Sequence, residues 1–166
     1  MARAYHLVID GLAAFAALIL AAMVVVIVAD VVARNLGFVP PSATVALTEY
    51  ALLYFTMAAA PRLTRDKGHV SVRVVLDRLS LAHRKTAGRF IALLCALICF
   101  VMTSVAGALL VESVMLGDIE PRSIDVPRWL LFLPLAIGFF FSGTEFTRFA
   151  WNGEEAWGSA DHVERL

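Results

Sequence analysis

Cysteines, histidines and carboxylates are the side chains with which this chain could do chemistry, and their positions argue against most of it. Cys95 and Cys99 stand one helical turn apart inside an uncharged stretch, with no histidine beside them. Thiols in that setting act as small apolar packing residues rather than as a disulfide or a metal pair. Haem ligation between helices requires histidines within apolar segments, yet His6, His69, His83 and His162 all fall outside them. A serine–histidine or paired-aspartate set at depth, as an intramembrane protease would need, is missing, as are a phosphate-binding glycine loop and zinc-ligand spacing. The expectation is a chain that is not an enzyme, with no catalytic, cofactor or metal residues.

The acids are the remaining candidates. Asp10, Asp30, Glu49, Glu112 and Glu145 all sit at or near the ends of apolar runs. Charge at membrane depth is costly and by default marks a partner or a pathway. Asp30 and Arg34 are four apart, and Glu145 and Arg148 three apart, so each pair can close along one helix face. Glu49 has no basic residue within a turn of it, so a contact to another span or another subunit is expected to relieve its cost. Arg34 and Glu49 are thus the candidate subunit-contact residues.

Such residues need elements to hold them. Residues 90–111 carry no charged side chain, and a helix of that length covers about 33 Å, the thickness of a bilayer's hydrocarbon core. A chain of 166 residues, 60% hydrophobic and 17% charged, has no soluble core able to bury a helix that is polar on no face. The pattern predicts an all-α integral membrane protein, one domain over 1–166, with spans at about 7–31, 44–64, 88–112 and 128–150. Residues 11–29 are uncharged over a stretch longer than a signal peptide's apolar region, which predicts a retained first span. Pro61 near the end of span two and Pro134 in span four are tolerated where neighbours satisfy the freed carbonyls. Trp129 and Trp151 lie about 33 Å apart along a helix, one for each interface. Small residues at four-residue spacing (Ala13, Ala17 and Ala21; Thr103 and Gly107; Gly138 and Ser142) predict close helix approach.

Basic residues set the orientation. Arg62, Arg65, Lys67, Arg73, Arg78, Arg84, Lys85 and Arg89 flank or fill the connection between spans two and three, against Arg34, Arg122 and Arg128 on the other side. The positive-inside rule then places residues 62–89 and both termini in the cytoplasm. Within that loop, residues 70–83 place Val72, Val75, Leu76 and Leu79 on one helical face, which predicts a cytoplasmic amphipathic helix lying in the headgroup plane. Strand alternation also fits eight of these residues, but a lone strand would have no partner. No basic tail or run supports a nucleic-acid partner. The segment before span four is dense in mixed charge, and Arg122, Asp125 and Arg128 are candidates for docking a soluble partner.

Residues 30–77 resemble the small membrane subunit of the tripartite ATP-independent periplasmic (TRAP) transporters, the DctQ family. The features that carry the likeness are Arg34, then Gly37, Phe38, Pro40 and Pro41, Glu49 opening span two, and Arg62, Arg65, Gly68, His69 and Val70 after it. Arg122, Ser123, Ile124, Asp125, Val126, Pro127, Arg128 and Trp129 look like the family's lead into span four. The chain departs from the pattern at Ala51, Leu52 and Leu53, where an arginine is frequent, and at Arg73, where an aspartate is common. The resemblance implies a multi-pass protein of the bacterial inner membrane. It also implies two partners beside the lipid bilayer: a large multi-span permease subunit that moves substrate and ion, and a periplasmic substrate-binding protein. On that footing the chain is a scaffold for ion-coupled import of an organic acid. The residues themselves leave two other readings open: the membrane anchor of a redox enzyme, or a small homo-oligomeric exporter.

Overall fold

A computed structural model describes residues 2–38, 43–66, 81–121 and 125–152. Four helices occupy most of it: α1 (Ala2–Asn35), α2 (Ala43–Arg65), α3 (Leu81–Leu116) and α4 (Trp129–Asn152). Between α3 and α4 lie two short strands, β1 (Ile119–Pro121) and β2 (Asp125–Pro127). They pair antiparallel, with Glu120 opposite Val126. The all-α expectation holds for the body of the protein, and the short hairpin is an addition to it. Strands of three residues bounded by Pro121 and Pro127 carry no apolar alternation by which a sequence could announce them. The predicted amphipathic helix at 70–83 falls mostly outside the described residues.

Glycine stops two of the helices. Gly37 takes φ 81° after α1, and the Phe38 amide donates back to the Ala33 carbonyl at 3.0 Å while the Gly37 amide reaches Arg34 at 3.1 Å. Gly117 takes φ 65° after α3, where the Asp118 amide donates to Ser113 at 3.3 Å. Both are left-handed caps that return orphan carbonyls to donors, a geometry side chains with a Cβ resist.

Among the described residues, three helices are long and apolar enough to cross a membrane, over Tyr5–Asn35, Thr86–Leu116 and Trp129–Trp151. The second predicted span is a helix over the expected residues, but Thr44, Thr48, Glu49, Pro61 and Arg62 keep α2 below that level. Helices α1 and α3 run beyond the predicted spans, to 34 and 36 residues, or about 51 and 54 Å. The flanks hold good helix formers and no proline, so charge ends the apolar run without ending the helix.

The main helix contacts run α1 to α2, α2 to α4 and α4 to α3. The helices therefore succeed one another in a row, with the last in sequence placed third. Helix α4 is consequently the most enclosed, burying Pro134, Gly138, Ser142, Gly143, Glu145, Phe146 and Phe149. Against it α3 sets Ala92, Ala96 and Cys99, which form one core cluster with Phe146 and Phe149. Cys99 is buried and Cys95 half-buried, both free thiols, as packing residues should be. The outer helices show apolar side chains such as Leu18, Val25, Leu97 and Val105 to their surroundings.

Candidate functional site: polar ties across the helix row

Helices α2 and α4 meet through the two carbonyls that their own prolines set free. Pro134 has no amide hydrogen, so the Leu130 carbonyl loses its helical donor. The Tyr54 hydroxyl of α2 donates to that oxygen at 2.9 Å. Pro61 likewise frees the Met57 carbonyl, and this oxygen lies against Gly138 of α4 so closely that a Cβ there would stand 2.7 Å from it. The first freed carbonyl is thus answered by a hydroxyl of the other helix, as backbone in an apolar medium requires, and the second marks the close approach of the two backbones.

The bond from Tyr54 makes a specific expectation. Tyr54→Phe should cost about 1 kcal/mol, the range of a single hydrogen bond in a membrane protein. In a Pro134→Ala background, where the new amide can serve Leu130, the same change should cost distinctly less. A double-mutant cycle on melting temperature reads the difference.

A second tie joins the N-terminal end of α1 to the C-terminal end of α2. Arg62 Nη1 and Arg65 Nη2 both donate to Asp10 Oδ1, at 2.6 and 2.7 Å. Arg65 Nη1 donates to His6 Nδ1 at 3.1 Å, which requires the ring tautomer bare at that nitrogen. Arg62 Nε completes the set on Asp66 Oδ2 at 2.7 Å. Nearby, Thr144 of α4 donates to the Phe141 carbonyl at 2.7 Å, so the Tyr5 hydroxyl is the donor in its 2.8 Å contact with Thr144. Glu145 is fully buried beside this contact, with Arg148 Nη1 at 3.9 Å from its Oε1.

The opposite end of the row carries the residues singled out as contacts. Arg34 is exposed and donates from Nε to Asp30 Oδ2 at 2.8 Å, the pairing its spacing predicts. Glu49 is exposed on the first turns of α2 and shares an open cleft with Asp30. In the hairpin, Asp125 is exposed and Arg122 lies outside the described residues. Arg128 is held from several sides: its amide donates to the Asp118 carbonyl at 3.0 Å, its guanidinium is 3.5 Å from the Asp118 carboxylate, and it lies 5.8 Å from the centre of the Phe132 ring. These residues occupy one end of the row but do not converge on a single point.

A family model described as "Tripartite ATP-independent periplasmic transporters, DctQ component" matches residues 23–152. The chain belongs to the DctQ family. No curated protein and no solved structure matches it. DctQ is a family of transporter components, and the apolar helices make this member a membrane protein. The matched region takes in Asp30, Arg34, Glu49, both prolines and Gly138, whereas Tyr5, His6 and Asp10 precede it.

The Asp10 tie is the feature that the residue types announced least. Asp30 and Glu145 have arginines three or four positions on, but Asp10 has none. That lack was the available signal, since Arg62 and Arg65 enter from the next helix at matching depth. Nothing in the residue types marked Glu145 as wholly enclosed.

Proposed function

We propose that this DctQ chain is the small scaffold subunit of a TRAP secondary transporter. It braces the large permease subunit for ion-coupled import of an organic acid handed over by a periplasmic binding protein. The observation that carries the reading is the row itself: α1, α2 and α4 are cross-tied by Asp10, Tyr54 and Gly138, α3 packs on α4 through the apolar cluster, and long apolar faces of α1 and α3 stay uncovered. Static support needs such a unit, and apolar helix faces are what another membrane subunit packs against. The test is uptake in cells that make the permease and binding protein with and without this chain. Loss of uptake, together with capture of the permease by the tagged chain, is expected. Full uptake without it would overturn the scaffold role.

In this reading α2 is a fourth crossing, lowered in apolarity because its neighbours α1 and α4 shield it. The inner bacterial membrane is its location, with both termini and residues 62–89 in the cytoplasm. The Asp10 tie then lies at the cytoplasmic face, and the Gly37 turn and the hairpin at the periplasmic face. Cysteines introduced at Ser71 and Ser123, with Cys95 and Cys99 replaced by serine, separate the two orientations. An impermeant thiol reagent on intact cells should label position 123 and spare 71; the reverse pattern would invert the arrangement.

Docking of the binding protein on the periplasmic rim involves Arg122, Asp125 and Arg128. Arg128 is already engaged by Asp118 and Phe132, so its part is to hold the hairpin in shape while Asp125 offers exposed charge. Charged rims of this kind steer encounter more than they add affinity.

A further inference from the structure

Helix α3 carries two lines of residues at alternating steps of three and four, on opposite faces. The first, Ala92, Ala96, Cys99, Thr103 and Ala106, is buried or half-buried, and its first three members join the cluster against α4. The second, Leu94, Leu97, Val101, Ser104, Ala108 and Val111, is exposed throughout. Such steps form the seam along which helices pack side by side at a shallow crossing, in membranes as in coiled coils. One seam of α3 is thus filled by α4, and the other is empty. The empty seam has a notch at its middle, where Ser104 and Ala108 stand between larger side chains. The Ser104 hydroxyl donates to the Val101 carbonyl at 2.7 Å, so another helix can approach closely without leaving that donor unmet. Beside the seam, one turn after Ala108, stands Glu112. It is exposed, has no basic residue within four positions, and makes no hydrogen bond or ion pair with any described residue. Exposed apolar side chains continue past it through Val114, Met115 and Leu116.

We propose that the empty seam of α3 receives a membrane-spanning helix of the large permease subunit, with a lysine or arginine of that helix opposite Glu112. The proposal rests on the small-subunit reading and adds to it the face and the chemistry of the contact. Glu112 selects among the occupants. In a second copy of this chain, paired about an axis along the membrane normal, the two Glu112 carboxylates would meet at equal depth and repel. Lipid tails match the large side chains, but they bring neither a rigid ridge for the notch at Ser104 and Ala108 nor a cation for Glu112. A helix with one basic side chain brings both. Its backbone closes on the notch, and its charge meets Glu112 beside the seam, where paired helices place the ion pairs that set register.

The test co-expresses the tagged chain with its large subunit and compares capture. Ala108→Trp fills the notch, and capture should fall at least about tenfold, as overpacking at a close crossing demands. Ala108 is exposed, so the melting temperature of the purified chain should stay where it was. Met102→Trp, on exposed surface between the two seams, should capture the permease as the parent does. Glu112→Lys sets like charges together and should also lower capture at least about tenfold. Ala108→Cys, with Cys95 and Cys99 changed to serine, is then paired with cysteines placed one at a time along the permease's membrane helices. Oxidation should link it to one face of a single permease helix. Unchanged capture by Ala108→Trp or Glu112→Lys, equal loss in Met102→Trp, or no cross-link except between two copies of this chain overturns the proposal while the subunit reading stands. Failure of the unaltered chain to capture the permease overturns both.

Discussion

Replacing Gly138 with alanine is expected to lower the melting temperature of the purified chain, while the same change at Gly107 leaves it unchanged or raises it slightly. A Cβ at 138 would stand 2.7 Å from the Met57 carbonyl oxygen and 2.9 Å from its Cβ, both inside ordinary contact distance. The nearer atom is backbone, so relief requires α2 and α4 to move apart, and the Tyr54 bond to Leu130 goes with them. Overpacking of this kind costs about 1–3 kcal/mol, more than the roughly 1 kcal/mol that alanine gains over glycine in a helix. Gly138→Val should fail to accumulate at all. At Gly107 a Cβ meets nothing within 4 Å, so only the helix preference remains. Equal behaviour of the two alanine variants would show that the close crossing does not hold the helices together.

The other large effect is expected at Asp10. Its Oδ1 accepts from two arginines of α2, and Asp10→Arg would set three guanidiniums together where one carboxylate now joins them. Helix α1 buries little apart from Ile9 and Ala16, so repulsion at this end should free its first turns from α2. The variant should melt well below the parent and be cut sooner by protease near its N-terminus. Pairing it with Arg65→Asp restores opposite charge across the gap and should recover much of the loss, as coupled neighbours do in a double-mutant cycle. No recovery in the pair would mean that the arginines serve something other than α1.

Periodicity and charge made much of this architecture readable before any coordinates. The uncharged run at 90–111 announced α3, and the tryptophans at 129 and 151 bracketed α4. Pairing of Asp30 with Arg34 followed from spacing alone and is found at 2.8 Å. Other features lay beyond such reading for identifiable reasons. Thr103 with Gly107 and Gly138 with Ser142 look alike as small-residue rows, yet of the two glycines Gly138 faces another backbone and Gly107 open space, because helix rotation in lipid is set by neighbours. The row at Ala13, Ala17 and Ala21 is likewise not the buried one; Ala16 is. The order of helices was illegible too, since α1 and α3 are apolar all round and point to no particular partner. Glu49 was marked as needing a contact, whereas the cleft it shares with Asp30 emerges only once α1 and α2 lie side by side.

The position of α4 within the row has a consequence for biogenesis. When α3 leaves the ribosome, α1 and α2 can already be joined, but α3's main contact is with a helix not yet made. It must wait in the bilayer as an unattached segment until α4 follows it through the hairpin. The last described helix to be synthesised then docks on α2 with one side and on α3 with the other, closing the two halves in one event. A nascent chain arrested between Leu116 and Trp129 holds a helical pair and a third helix whose main contact is not yet made. Quality control in the membrane would meet a product that is inserted but unassembled, and that only the final helix converts into a single body.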